Sequence, residues 1–304
     1  MKIGFLFPGQ GSQNVGMGKD LYDKYDEIKK VYEEAYKITG IDVANLTFNS
    51  SEEILFQTKN TQIAILIMSL GILKILEEKN IKPDYTAGLS LGEYTALICS
   101  KAISFEDGVK IVKKRGELMQ EYVPAGNWLM AAILGLEDNK VDEICKNVKS
   151  GFVVPANYNC IGQVVISGDE EGIKEAEKLA KEAGARKVSI LKTGGPFHTE
   201  KLKEASKHLK EELKKININC PEINVIKNID ATPYKKGDNI VEILSNHVTN
   251  PVRFTDSIKY MLDNGVDTFV EIGPGKTLTS FVKRISREVK LVNINSVDTL
   301  ENYI

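Results

Sequence analysis

Short runs rich in β-branched and aromatic residues, at 3–7, 85–89, 223–229, 268–272 and 291–294, alternate with long amphipathic stretches. This alternation constrains the fold more than any other feature, because parallel strands need crossover connections of helical length. It predicts a sheet with helices on both faces, the helices lying near 21–39, 62–79, 105–122, 199–214, 240–248 and 255–264. A chain of 304 residues has room for one large α/β domain carrying a smaller one. No internal repeat or low-complexity segment interrupts the pattern.

The middle of the chain breaks the rhythm. It reads as a strand at 128–134, a helix at 138–148, strands at 152–158 and 163–167, a helix at 170–183 and a strand at 187–191. The order β-α-β-β-α-β is the ferredoxin-like motif, a complete small fold inserted into the larger one. Pro124-Ala125-Gly126 and Gly194-Gly195-Pro196 bracket it as turn-rich hinges. The expected large domain is therefore 1–126 with 194–304, and the small domain 127–193. A cleft between them is a natural ligand site.

Bulk properties exclude several function classes. A net charge of −2 lacks the basic excess of a dedicated nucleic-acid binder. Cys99, Cys145, Cys160 and Cys220 form no C-x-x-C pair, which suits reduced thiols in the cytoplasm and offers no metal site. The apolar run at the N-terminus is too short for a signal peptide. The longest apolar run, 63–76, is interrupted by Lys74 and is too short and too periodic to span a bilayer. No membrane association is expected.

Gly88-Leu89-Ser90-Leu91-Gly92 matches G-x-S-x-G directly after one predicted strand and before a helix. In an α/β-hydrolase-like parallel-sheet core this pattern puts a serine on a sharp turn with its hydroxyl exposed. The following helix aims free N–H groups and its positive dipole end at the same place. Ser90 and Glu93 also spell S-x-x-E, an ordinary capping box. Gly9-Gln10-Gly11-Ser12-Gln13, after the first strand, reads by itself as a plain strand-to-helix turn. Gly273-Pro274-Gly275-Lys276-Thr277 imitates a P-loop but has Val270 where the first glycine would stand.

A serine nucleophile needs a base, most often histidine. Of three histidines, His208 sits in a Lys- and Glu-rich helix and is expected in solvent. His247 lies at a predicted helix end. His198 follows a glycine-rich turn and opens a helix, whose dipole would keep the imidazole neutral. His198 is the first choice, with His247 the other candidate. Arg115 lies beside the apolar stripe Phe105, Val109, Val112 and Met119, with Gly116 leaving room. An arginine facing inward there calls for an anion, and a ligand carboxylate is one.

Together these motifs resemble the malonyl-CoA:acyl carrier protein transacylases of fatty acid synthesis, nearly end to end. The match includes residues 7–13, 88–93, Arg115-Gly116 with Met119-Gln120, 156–159, 162–168, Phe197-His198, 250–252 and 271–275. The resemblance implies that Ser90 is the nucleophile and His198 its base. It implies an oxyanion hole from the backbone N–H groups of Gln10 and Leu91, and Arg115 holding the malonyl carboxylate. Met119, Phe197 and Asn159 are implied to line the acyl pocket. In the family a backbone carbonyl, usually a glutamine's, orients the histidine, and His247 stands at that position here. Leu89 replaces a histidine common in the family, so the contact which that histidine makes near the acyl group is absent.

The resemblance further implies ping-pong transfer from malonyl-CoA to acyl carrier protein by a monomer, with no cofactor beyond the thioester substrate. Lys276, Lys283, Arg284 and Arg287, on the helix after Gly275, form an expected docking face for an acidic carrier. Two other functions use the same residues. A serine esterase or thioesterase would need a carboxylate orienting the histidine and no Arg115. A non-enzymatic carrier-binding domain would leave Ser90 unreactive.

Overall fold

Ile3–Phe7 (β1) is apolar almost without a break and buried over its last four residues, as a strand covered on both faces must be. The computed structural model describes residues 2–192 and 195–304 of the chain. After β1 come helices Lys19–Lys24 (α1), Asp26–Thr39 (α2), Val43–Asn49 (α3), Glu52–Leu55 (α4) and Thr58–Glu78 (α5). Strand Tyr85–Gly88 (β2) leads to Gly92–Cys99 (α6) and Phe105–Glu121 (α7). The central segment runs Trp128–Leu134 (β3), Asp138–Asn147 (α8), Val153–Cys160 (β4), Gln163–Asp169 (β5), Glu170–Glu182 (α9) and Lys187–Ile190 (β6). Lys203–Leu213 (α10), Asn224–Val225 (β7), Ile240–His247 (α11) and Phe254–Asp263 (α12) follow. Thr268–Ile272 (β8), Thr277–Ile285 (α13), Lys290–Ile294 (β9) and Val297–Glu301 (α14) complete the chain.

The fold is mixed α/β with two sheets. The larger has five strands in the order β7-β2-β1-β8-β9, all parallel. The smaller has four in the order β4-β5-β3-β6, all antiparallel. The small sheet's joint to the rest includes backbone bonds from Tyr158 N–H to the Val252 carbonyl (2.8 Å) and from Val252 N–H to the Ala156 carbonyl (2.9 Å). Helix α5 is long and apolar enough to cross a membrane, but 83% of its most apolar window is buried inside the protein. Being apolar all round, it behaves as a core helix, packed between other helices and the sheet.

In β1 and β2 the register pairs Phe7 with Gly88. The loops that follow therefore start at one level, and Gly9–Ser12 runs beside Leu89–Leu91 at the carboxyl end of the sheet. Ligands of open parallel sheets bind at that end.

Three expectations need correction. The helix expected at 21–39 is two helices, because Tyr25 is extended (φ −109°, ψ 115°) between them. Asp26 and Glu27 then supply the acidic first turn that a new helix start favours. The helix expected at 199–214 opens as a 3₁₀ turn, Glu200–Leu202, before α10 begins. The strand expected at 223–229 pairs over two residues only, since the chain then folds back, Lys227 N–H bonding the Thr232 carbonyl. One hinge expectation, Gly194, and the boundary at 193–194 lie outside the described residues. Helices α3, α4 and α14 are short and had no long periodic signal to betray them.

Candidate active site

Ser90 occupies the tight turn between β2 and α6 with φ 53°, a left-handed conformation that costs a non-glycine residue about 1–2 kcal/mol. The flanking glycines are required by contact. A Cβ on Gly88 would meet the Gly92 carbonyl carbon at 1.9 Å, and one on Gly92 would meet the Phe7 carbonyl oxygen at 2.0 Å. Only at this closeness does the turn present the serine hydroxyl to the cleft. The alternative of a capping box is not realised: the cap residue of α6 is Leu91, and no side chain caps it.

The Ser90 hydroxyl stands between two groups. His198 Nε2 lies 2.9 Å from Oγ, and Arg115 Nη2 donates to the same oxygen at 2.9 Å. On the far side of the imidazole, Nδ1–H faces the His247 carbonyl at 3.0 Å and the Asn250 carbonyl at 3.1 Å. Two carbonyl acceptors fix the proton on Nδ1 and leave Nε2 to accept from Ser90. His198 is 4% exposed and, like Ser90, left-handed (φ 59°).

Its imidazole pKa is pushed down to about 4, by burial first and the Arg115 charge second, while the two carbonyls work in the opposite direction. The expected helix dipole is not the cause. His198 precedes a three-residue 3₁₀ turn and does not sit on an α-helix start.

Arg115 comes off α7, which Ser104 caps by accepting from Asp107 N–H. It is 1% exposed, and burial lowers its pKa from the ordinary value. Nη1 donates to Gln62 Oε1 at 2.7 Å, the guanidinium lies 5.4 Å from the centre of the Tyr94 ring, and Nε has no partner. A buried cation with a free donor, opening on a cleft, is prepared for an anionic ligand.

The cleft encloses about 220 Å³ between the two sheets. Ser90, Arg115 and His198 line it together with Gln10, Leu91, Met119, Phe197 and Asn159, all of which the sequence singles out. The backbone N–H groups of Gln10 and Leu91 donate to no protein group among the described residues. Asn159 Oδ1 is buried without a partner, and Met119 Sδ accepts from Gln62 Nε2 at 3.4 Å. His208 is exposed and stacks on Tyr122, outside the cleft.

His247 contributes its carbonyl, while its ring lies buried 3.1 Å (Nδ1) from Glu93 Oε2. Burial holds that imidazole well below its usual range and pushes Glu93 up to about 7. Neither observation makes His247 the base, because its ring is turned to Glu93 while His198 meets Ser90.

The P-loop imitation at 273–277 is filled from within. Glu271 accepts from the N–H groups of Leu278 (3.0 Å) and Thr279 (2.8 Å), so the protein's own carboxylate takes the place a phosphate would need. Lys276, Lys283, Arg284 and Arg287 are exposed, but α13 runs from Thr277 to Ile285, so Lys276 precedes and Arg287 lies beyond the helix on which they were expected. Arg284 Nη1 donates to Gln163 Oε1 at 3.3 Å, and Gln163 lines the cleft.

The sequence did not single out Gln62, Asn228 or the Asn250 carbonyl. Gln62 was readable as a polar residue opening a long apolar helix. Asn228 stood in a predicted strand, and a backbone carbonyl carries no residue-type signal.

The acyl transferase domain family matches residues 4–300. The malonyl CoA-acyl carrier protein transacylase of Bacillus subtilis (strain 168) is 43% identical over 302 residues, 99% of this chain and 95% of that protein. The crystal structure of the transacylase of that name from Clostridium perfringens superposes with a TM-score of 0.95 at 44% identity, covering 100% of this chain and 96% of that one. A malonyl-transacylase solved in complex with a type II PKS acyl-carrier protein matches with a TM-score of 0.96 at 36% identity, covering 99% of this chain and 98% of that one.

Proposed function

The chain belongs to the acyl transferase family, and from that footing we infer that it transfers a malonyl group from malonyl-CoA to the phosphopantetheine thiol of acyl carrier protein, supplying fatty acid biosynthesis. The observation that carries the site assignment is one oxygen, Ser90 Oγ, held at 2.9 Å by both His198 and Arg115.

Ser90 Oγ attacks the thioester carbonyl as His198 Nε2 takes its proton. The carbonyl oxygen gains a negative charge, for which the N–H groups of Gln10 and Leu91 are the proposed donors. The C–S bond then breaks, the proton passes from His198 to the departing coenzyme A thiolate, and malonyl remains as an ester on Ser90. The carrier thiol gives its proton to His198 and attacks this ester, and Ser90 recovers its hydroxyl. No atom changes oxidation state, so the proposed reaction calls for no redox cofactor.

Arg115 is proposed to bind the malonyl carboxylate, with Met119, Phe197 and Asn159 walling the acyl pocket. Carbonyl acceptors behind His198, in place of a carboxylate, disfavour the esterase reading. The exposed cations Lys276, Lys283, Arg284 and Arg287 are proposed to meet the carrier. The strand order β4-β5-β3-β6 supports reading 127–193 as a ferredoxin-like insert, and the elbow supports an α/β-hydrolase-like core. Every proposed catalytic group comes from one chain, which suits a monomer. The buried α5 and the thioester and carrier substrates suit the cytoplasm.

Intact-protein mass spectrometry after mixing with malonyl-CoA tests the proposal. A malonyl adduct that disappears in Ser90→Ala is expected, and a persisting adduct would move the nucleophile elsewhere.

A further inference from the structure

Asn228 is 1% exposed and stands where the chain leaves the large sheet after β7. Its side chain reaches under the serine turn and closes it from both sides. Oδ1 accepts from Ser90 N–H at 2.7 Å, and Nδ2 donates to the Gly88 carbonyl at 2.7 Å. One planar amide thus pairs the buried carbonyl entering the turn and the part-buried N–H at its apex, two backbone groups that the strained conformation leaves outside sheet and helix. Since Ser90 N–H is already used, it is not free to bind a developing oxyanion.

Asn228 is itself held. Its carbonyl accepts from Arg253 N–H at 2.8 Å, and its own N–H faces Glu93 Oε1 at 3.4 Å. The same Glu93 oxygen accepts from the Tyr234 hydroxyl at 2.7 Å. The other Glu93 oxygen lies 3.1 Å from Nδ1 of His247, the residue whose carbonyl carries His198. Glu93 therefore touches the supports of both partners in the proton transfer.

We propose that Asn228 is a positioning residue for the nucleophile, with Glu93 as its buttress: together they hold Ser90 Oγ at the distance from which His198 Nε2 takes its proton. The proposal rests on Ser90 being the nucleophile. Releasing the turn lets Oγ drift, and a displacement of about 1 Å at a reacting atom costs on the order of 10²-fold in rate. Substrate affinity is proposed to depend on Arg115, Met119, Phe197 and Asn159, to none of which Asn228 hydrogen-bonds among the described residues, so the loss should fall on the acylation rate constant.

The test compares the parent with Asn228→Ala and Asn228→Asp. Three quantities are measured: the rate and malonyl-CoA dependence of adduct formation, the rate of Ser90 labelling by a small fluorophosphonate that has no carboxylate, and thermal unfolding. Asn228→Ala should lower the acylation rate constant by about 10²-fold, lower fluorophosphonate labelling in parallel, and leave half-saturation by malonyl-CoA nearly unchanged. Asn228→Asp keeps an acceptor for Ser90 N–H but sets a carboxylate oxygen against the buried Gly88 carbonyl, so its acylation rate constant should fall as well.

Absence of a Ser90 adduct in the parent would defeat the Ser90 assignment itself. A normal parent adduct with parent rates in folded Asn228→Ala, or a loss confined to half-saturation, would overturn the positioning role alone. Should Asn228→Ala fail to fold, Asn228→Asp decides by the same criteria.

Discussion

Arg115 Nη2 donates to Ser90 Oγ across 2.9 Å, so the cation proposed to bind substrate rests on the proposed nucleophile. A malonyl carboxylate in the cleft that Arg115 lines would supply an anion to this buried guanidinium. Acetyl-CoA brings no carboxylate and leaves the buried charge unpaired. Breaking such a pair costs about 3–5 kcal/mol, or more than 10²-fold. Arg115→Ala should therefore lose malonyl transfer by at least about that factor and narrow or invert the preference over acetyl. The check is kcat/KM for both thioesters in both proteins, and an unchanged ratio would make Arg115 structural.

His198 and His247 are 5.0 Å apart between ring centres, and their proposed roles separate by atom. His198 meets Ser90 Oγ through Nε2, and His247 meets His198 through its main-chain oxygen. His198→Ala should slow adduct formation by about 10²–10⁴-fold, the usual contribution of a positioned base. His247→Gln keeps the carbonyl and should stay close to the parent rate. A loss equal to that of His198→Ala would show that the His247 ring takes part in proton transfer.

Legibility from sequence followed the range of the signal. Strand runs such as 3–7, 128–134 and 268–272 matched closely because continuous burial on both faces, or strict pairing in the small sheet, leaves an apolar record. The break at Tyr25 left none, since its cause is local backbone geometry within an unbroken amphipathic pattern. Ser90, Arg115 and His198, which the structure brings together, were readable as candidates from residue type and glycine context. Asn228 was not: its value lies in reaching across 138 positions to the Ser90 N–H, and a two-residue strand hides where the chain turns. The helix-dipole account of His198 failed for a similar reason, because burial and Arg115 are properties of the assembled cleft.

With His198 as the proposed base, its depressed pKa should set the acid limit of the reaction. His198 is held at about 4 by burial and then Arg115, so it stays neutral, and able to accept a proton, well below the ordinary imidazole value of 6.5. Activity should be lost through His198 protonation only as pH falls toward about 4. Stability follows the same sign. The unfolded histidine takes its proton near 6.5, so the contribution is intact above that pH and is lost as pH falls toward 4. Arg115→Gln removes one of the depressing causes and should move the acid limb upward. The measurement is the pH dependence of Ser90 labelling by an uncharged electrophile in both proteins. A limb already at 6.5 in the parent would mean that His198 is more solvated than its burial indicates.

Carrier recognition should be separable from acylation, because the proposed docking cations lie outside the cavity that holds Ser90. Lys283 and Arg284 occupy the last turn of α13, exposed, and Arg287 follows the helix end. Among the described residues none of these three pairs with a carboxylate, so an acidic partner finds their charges uncompensated. Charges at a rim act mainly on encounter rate and its salt dependence. Lys283→Glu should raise KM for the carrier protein and weaken its salt sensitivity while leaving malonyl-CoA labelling of Ser90 unchanged. Lys283→Glu with Arg284→Glu should raise KM further. Arg284 also bonds Gln163, which lines the cleft, so the double variant must be checked for labelling before its KM is interpreted. Added salt should weaken carrier transfer in the parent, since exposed charges separated by a Debye length of roughly 8–10 Å at ordinary ionic strength are screened. A carrier KM indifferent both to Lys283→Glu and to salt would show that the carrier docks on another face.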